Sequence, residues 1–230
     1  MYGSLVFPKT NTELQGVYMI HISHMTKRFK DRVIFEDASA QITKQKTKIE
    51  GTNGTGKSVL LKMIVGYSEP DEGSVTVDNI VIGKTCDFLP DAGVSINAPE
   101  FVPYWTGKEN LKYLQDILKK CSDERLNCLI RAMELEADIN KKYRTYSLGM
   151  KQKMRLIQAL MDSPKYLILD EPFDALDTAM KKQVKQMLDD YLKEDRTRML
   201  IYTSHIEDDE DYSDDILYLS DRKLVQKKDL

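Results

Sequence analysis

The chain has few cysteines, a single tryptophan, no long apolar run and little net charge. Its three cysteines, Cys86, Cys121 and Cys128, are an odd number without a CxxC pair. That argues against a disulfide framework or zinc site and for reduced thiols. The longest stretch free of Asp, Glu, Lys and Arg is Leu14–Thr26, thirteen residues that include two histidines. A membrane-spanning helix needs roughly 20 apolar residues. No basic segment leads into an apolar run at the N-terminus, so no secretory signal is expected. A net charge of −3 provides no global attraction for nucleic acid, and no such partner is expected. What remains is an ordinary globular balance, 31% charged and 41% hydrophobic over 230 residues. This length supports a large core in one or two domains, and the composition reads as that of a soluble cytosolic protein.

No internal repeat or low-complexity segment is present. Residues 1–16, with Pro8 and several Thr and Asn, read as an N-terminal extension. Val17–Ser23 ("VYMIHIS") alternates as a strand should, and Val33–Thr43 alternates more weakly. Ser74–Ile82 is β-branched and broken by Asp78-Asn79, a hairpin turn. From Gly107 the period changes. Leu111, Leu114, Ile117 and Leu118 stand at helical spacing, as do Leu126, Leu129, Ile130 and Met133. Apolar strands follow at Tyr166–Leu169 and Met199–Thr203, with a helix predicted over Met180–Leu192 between them, and Ile216–Gln226 reads as a closing hairpin. Strands alternating with helices predict an α/β core, interrupted by a helical insertion over residues 98–163.

Gly51-Thr52-Asn53-Gly54-Thr55-Gly56-Lys57-Ser58 satisfies G-x-x-x-x-G-K-[ST]. Glycines let such a loop curl its N–H groups around phosphate oxygens at the positive end of the next helix. Lys57 would reach the β- and γ-phosphates of a nucleotide, and the Ser58 hydroxyl would bind Mg²⁺. Val59 opens the apolar helix "VLLKMIVG" and closes the run of nucleotide-contacting positions. Chance alone would produce this pattern in about one chain in a hundred of this length. Upstream, "KTKIEG" places Lys48 and Glu50 where a buried strand would be expected to be apolar.

The run "YLILDEPFDALD" places Asp170 and Glu171 at the carboxyl end of an apolar strand, where open α/β sheets hold ligands. Asp170 would share Mg²⁺ with Ser58, and Glu171 would polarise an attacking water. Acidic residues after a strand also serve as ordinary helix caps, and it is the phosphate loop that favours the catalytic reading. His205 ends the next strand, "MLIYTSH". A lone histidine is more often a surface residue, but this position makes it a candidate γ-phosphate sensor.

With "GTNGTGKS", "YSLGMKQK", "LILDEPFDALD" and "SH" in that order, the chain resembles the ABC (ATP-binding cassette) ATPases over about residues 18–226. The form of "YSLGMKQK" is similar to cassettes of bacterial drug and peptide-antibiotic export or immunity. The resemblance implies a P-loop NTPase (RecA-like) core over 17–97 and 164–230, with a small antiparallel β region and an inserted helical subdomain. It implies ATP and Mg²⁺ as ligands, catalytic roles for Lys57, Glu171 and His205, and two cassettes packed head to tail. Ser147 and Gly149 would then contact the γ-phosphate held by the partner cassette, and Asp174–Asp177 would form the connecting loop. Phe29 matches the aromatic that stacks on adenine. Asn97 matches the family's glutamine, which links metal and attacking water to the transporter contact, but is one methylene shorter. Leu148 stands where the signature usually has glycine.

Under this resemblance the chain is expected to be a Mg-dependent ATPase at the inner face of the membrane, driving a separate permease that contacts Asn97–Tyr104. A non-transport cassette acting on ribosomes or DNA is the alternative, along with a binding-only module. The acidic run Glu207–Asp215 is expected to be a solvated face, and Trp105 a packing or permease contact.

Overall fold

The computed structural model describes residues 19–30, 32–97, 100–204 and 212–226. The extension 1–16, His205 and the acidic residues 207–211 lie outside them. Strand β1 (Ile20–Phe29) pairs antiparallel with β2 (Arg32–Ile42) and β4 (Glu72–Val77), and β5 (Ile80–Val81) joins β4. Together they make a four-stranded sheet in the order β2-β1-β4-β5. β1 continues well past the Ser23 at which its alternation ends. Register shifts between Ile22 and Arg28 carry the strand onward, and so place Phe29 at its tip.

The second sheet contains β3 (Lys46–Glu50), β6 (Ala92–Ser95), β7 (Tyr166–Leu169), β8 (Met199–Ser204), β9 (Asp215–Ser220) and β10 (Lys223–Gln226). Its order is β10-β9-β3-β8-β7-β6, parallel throughout except for the β9–β10 hairpin. The carboxyl ends of β3, β6, β7 and β8 therefore share one edge. Alternation along each strand sends successive side chains to opposite faces. Ile49, Ile168 and Ile201 pack with helix α1 (Lys57–Val65) and the antiparallel sheet. Leu167, Leu169, Leu200 and Tyr202 share a core with α2 (Gly107–Leu118), α3 (Asp123–Ala132), α4 (Leu148–Leu160) and α5 (Thr178–Glu194). Coverage on both faces is why β7 and β8 read as unbroken apolar runs.

β3 is the exception, because it lies between β8 and β9 yet carries two buried charges beside the half-buried Lys46. Lys48 is 0% and Glu50 4% exposed, and Lys48 Nζ stands 2.9 Å from Glu50 Oε2. Residues two apart on a strand share a face, so each charge supplies the other's partner. The expected apolar strand is replaced by a self-paired one.

Helix α2 starts with a full capping box between Thr106 and Glu109. Its predicted stripe is only partly realised. Leu111 is buried and Leu114 half-buried, but Ile117 is 57% exposed. The helix ends immediately afterwards at Lys119, in left-handed conformation, and its last turn lies at the surface. The side chain of Leu118 is outside the described residues. Asp78, in the β4–β5 turn, accepts hydrogen bonds from Lys165 Nζ (2.6 Å), the Tyr166 hydroxyl and Met19 N–H, anchoring the start of β7. Of the acidic run, Tyr212 packs against the helical core, and Asp214 accepts from Lys46 N–H at 3.0 Å. This part is structural rather than a free solvated face.

Candidate functional site

The residues Gly51–Gly56 turn from the end of β3 into α1. Gly56 has φ 111°, and a Cβ there would lie 2.5 Å from Ile34 Cγ2, so the position demands glycine. Thr55 Oγ1 donates to Thr52 O at 2.8 Å, closing the turn. No side chain caps α1 and no acidic residue stands in its first turn, so its positive end is left for an anion. Lys57 is 6% exposed and its ammonium donates to Gly51 O at 2.7 Å. Asn53, Gly54, Gly56, Lys57, Ser58 and Val59 line a cleft of about 300 Å³, which Glu171 also borders. Thr52 and Thr55 face a second cleft of about 710 Å³ toward the β9–β10 hairpin. Gly51 lies beneath the loop, where a Cβ would meet Thr55 Oγ1 at 2.7 Å. Arg32 clamps the loop from outside, donating to Gly54 O at 2.7 Å.

Asp170 and Glu171 follow β7 on the same edge. Asp170 Oδ1 accepts from Thr203 Oγ1 at 2.7 Å, and Asn97 N–H points at Asp170 Oδ2 from 3.4 Å. Glu171 adopts φ 51°, a conformation costing of order 1 kcal/mol or more for a non-glycine residue. Its N–H donates to Thr203 Oγ1 at 2.9 Å. Thr203, 0% exposed near the end of β8, thus holds the side chain of Asp170 and the backbone of Glu171. The sequence reading missed it, although a polar residue in the "MLIYTS" run was the available signal. Gln152 was missed as well. Its amide donates to the carbonyls of Glu171 (3.2 Å) and Pro172 (2.9 Å).

Ser58, Asn97, Asp170 and Glu171 line a polar cleft of about 410 Å³. Glu171 borders both this cleft and that of the phosphate loop, so the two motifs meet there. A hydroxyl and a carboxylate are hard oxygen donors that fit Mg²⁺. Among the described residues no three His, Cys, Asp or Glu groups could hold a metal unaided, so phosphate and water would complete the shell. Asn97 reaches Asp170 with its backbone, not through its shortened side chain.

The "YSLGMKQK" segment touches this cleft through Leu148 and Gln152, but its serine and glycine do not line it. Ser147 caps α4, accepting from Met150 N–H at 3.2 Å, and both Ser147 and Leu148 are exposed, Leu148 to 73%. Leu148 stands at the mouth of the 410 Å³ cleft, whereas Ser147 and Gly149 line neither that cleft nor the phosphate-loop cleft. A Cβ on Gly149 would come within 2.8 Å of Ala175 O, so glycine lets the turn pack directly on the Asp174–Asp177 loop. Met154, Ile157 and Met161 are buried and Met150 half-buried, anchoring the helix. Burial pushes the Tyr146 phenol up to about 12, and its hydroxyl donates to Asp138 O at 2.9 Å. Phe29 is 49% exposed, with Lys27 Nζ 5.3 Å from its ring centre. It borders neither of the two clefts around Glu171.

A sequence model of the ABC transporter family matches residues 35–174. The ABC transporter ATP-binding protein YybJ of Bacillus subtilis is 33% identical over 208 residues, covering 90% of this chain and 91% of that protein. YdbJ of the same organism is 33% identical over 203 residues, and the match spans 87% of this chain but 66% of YdbJ. The bacitracin transport ATP-binding protein BcrA of Enterococcus faecalis is 27% identical, with 91% of this chain and 69% of that protein covered. Among solved structures, an ATP-binding cassette captured as a dimer in a post-hydrolysis state with ADP and Pi superposes with a TM-score of 0.77 at 25% identity. That match covers 92% of this chain and 99% of the solved one. With its phosphate loop, carboxylate turn and serine-glycine signature in one α/β fold, the chain belongs to the ABC transporter family, as one of its ATPase cassettes.

Proposed function

We propose that the chain hydrolyses ATP as the cytoplasmic subunit of an ABC transporter, pairing with a second cassette and driving a separate membrane permease. The observation that carries this reading is Glu171, which borders the phosphate-loop cleft and the Ser58–Asp170 cleft at once. Lys57 and the first turn of α1 would hold the terminal phosphates, and Ser58 with Asp170 would hold Mg²⁺. The ion, when bound, neutralises charge on the transferred phosphoryl group. Glu171 takes a proton from water as its oxygen attacks the terminal phosphorus. The bond to the bridging oxygen breaks, leaving ADP and phosphate.

Ser147 and Gly149 sit at an exposed helix start, which suits contact with a nucleotide on another subunit. We divide the cassette into 17–97 and 164–230 as core and β region and 98–163 as helical subdomain, preceded by the extension 1–16. Among the described residues no helix is long and apolar enough to cross a membrane, and we assign translocation to the permease. The similarity to a bacitracin transport protein supports a drug or peptide antibiotic as the cargo class. A ribosome- or DNA-associated role is not favoured by any of the relatives named above.

The test is Glu171→Gln. Turnover should fall by about a hundredfold or more, with ATP affinity unchanged, and ATP should trap a dimer on size-exclusion chromatography. Normal turnover in this variant removes Glu171 from the role of base. A species that stays monomeric with ATP argues against the paired arrangement.

A further inference from the structure

We propose that Arg155 is a positioning residue that ties the backbone of Glu171 to the surface segment beginning at Glu100. A partner engaging that segment would then act on hydrolysis through the chain's own helix α4. The inference rests on the hydrolytic reading given above.

Arg155 lies in α4 with its side chain only 11% exposed, and it lines the same cleft as Ser58, Asn97, Asp170 and Glu171. Its Nη1 donates to Gln152 Oε1 at 3.3 Å. The Gln152 Nε2 group points the other way, onto the carbonyls of Glu171 and Pro172. A glutamine amide has two nearly isosteric orientations, one presenting donors and the other an acceptor. A guanidinium is always charged and can only donate, so it selects the orientation in which Gln152 turns its oxygen toward Arg155. The amide's donors are thereby committed to the carbonyls of the carboxylate turn. Thr203 fixes the N–H of Glu171 from β8, and Gln152 fixes its carbonyl from α4. Both ends of a left-handed residue are held, one of them through Arg155.

The second attachment of Arg155 is of another kind. Nη2 reaches Glu100 Oε1 at 3.5 Å, and Lys151 Nζ stands 3.9 Å from the other carboxylate oxygen. Glu100 is 62% exposed, so these contacts are screened and easily exchanged. Just beyond it Val102, Tyr104 and Trp105 are exposed to 40%, 68% and 37%. Asn110 holds Val102 in place, accepting from its N–H at 2.8 Å. A loosely held carboxylate beside exposed apolar groups is the end of the link that docking of the membrane subunit would disturb. The Gln152 end is the one that docking would leave in place.

In steady-state ATPase assays, Arg155→Met should lower kcat about tenfold, since slight misplacement of a catalytic group is costly. KM for ATP should stay within about twofold, as expected for a group acting only on the reaction step. Arg155→Lys keeps one donor toward Gln152 and should recover part of the loss. Gln152→Leu should reproduce the loss of Arg155→Met, and the double variant should be no worse than either, because both break one serial link. Glu100→Ala should lower kcat by about two- to threefold in the parent and not at all in Arg155→Met.

A kcat within twofold of the parent for Arg155→Met overturns the proposal. So does a rise in KM at unchanged kcat, or additive losses in the Arg155–Gln152 pair. Should Arg155→Met fail to fold, Arg155→Lys and Gln152→Leu decide by the same criteria. Lys57→Ala separates the two levels. Hydrolysis that depends on Lys57 but ignores Arg155 overturns this link alone, and the absence of Lys57-dependent hydrolysis overturns the nucleotide reading together with it.

Discussion

Strands β3 and β7 flank β8 in one sheet, run in the same direction, and each hands the chain to half of the site. β7 is "YLIL", with all four residues buried, whereas β3 is "KTKIE", buried from Thr47 onward but carrying Lys48 and Glu50 on one face with the half-buried Lys46. An apolar strand gains from transfer out of water, and each position contributes on its own. A paired strand depends on both charges being present, because removing one withdraws the buried counter-charge that faces the other. Two neighbours of β8 should therefore respond very differently to substitution at their buried positions, and the contrast can be tested directly.

The largest effect is expected in β3. Glu50→Ala should destabilise the fold by about 3–5 kcal/mol by removing the carboxylate that faces the buried Lys48 ammonium, whereas Lys48→Met with Glu50→Leu should be neutral or stabilising. Denaturant unfolding of both variants checks this. Equal losses in the single and double variants would mean that the pair behaves like the apolar residues of β7.

A smaller effect is expected where the loop following β7 meets the signature turn. Gly149→Ala forces a Cβ to within 2.8 Å of Ala175 O, and should cost about 1–3 kcal/mol of stability. If the signature acts on a partner's nucleotide, hydrolysis by the dimer should also fall while the monomer's ATP affinity is kept. Unchanged stability would mean that the Asp174–Asp177 loop yields freely.

The smallest effect is at the start of β7. Burial raises the Asp78 carboxyl, but hydrogen bonds from Lys165, Tyr166 and Met19 outweigh it and hold the group below its usual 3.8. A depressed carboxylate contributes stability above its unfolded pKa and loses it as pH falls through the folded value. Asp78→Asn should thus cost about 1 kcal/mol at neutral pH, with the difference from the parent shrinking below about pH 4. Thermal melts across that range measure it, and a difference independent of pH would show that the charge is not what anchors β7.

How much of this was visible beforehand follows the same division. β7, β8 and the closing hairpin were legible because apolar burial leaves its mark residue by residue. β3 was obscured because its buried charges, Lys48 and Glu50, pair with each other across one intervening residue, which an apolar pattern does not show. The phosphate loop was legible since glycine spacing is a local requirement, as the φ of Gly56 illustrates. Thr203, Gln152 and Arg155 were not, since their roles depend on residues 20 or more positions away in most cases, as with Thr203 and Glu171. Ile117 misled because a helical period continues past the point where the core stops.

Local chemistry sets the loops and the strand types: a glycine-rich turn can curl around phosphate whatever surrounds it, and an apolar run of four must be buried somewhere. The convergence of Ser58, Asp170 and Glu171 on one edge came from the strand order, which inserts β8 between β3 and β7 and brings Thr203 against the Asp170 carboxylate and the Glu171 N–H. Pairings between distant strands and the contacts of a buried amide depend on registers that no short stretch of sequence carries. For that reason the tertiary structure alone shows how Glu171 is held.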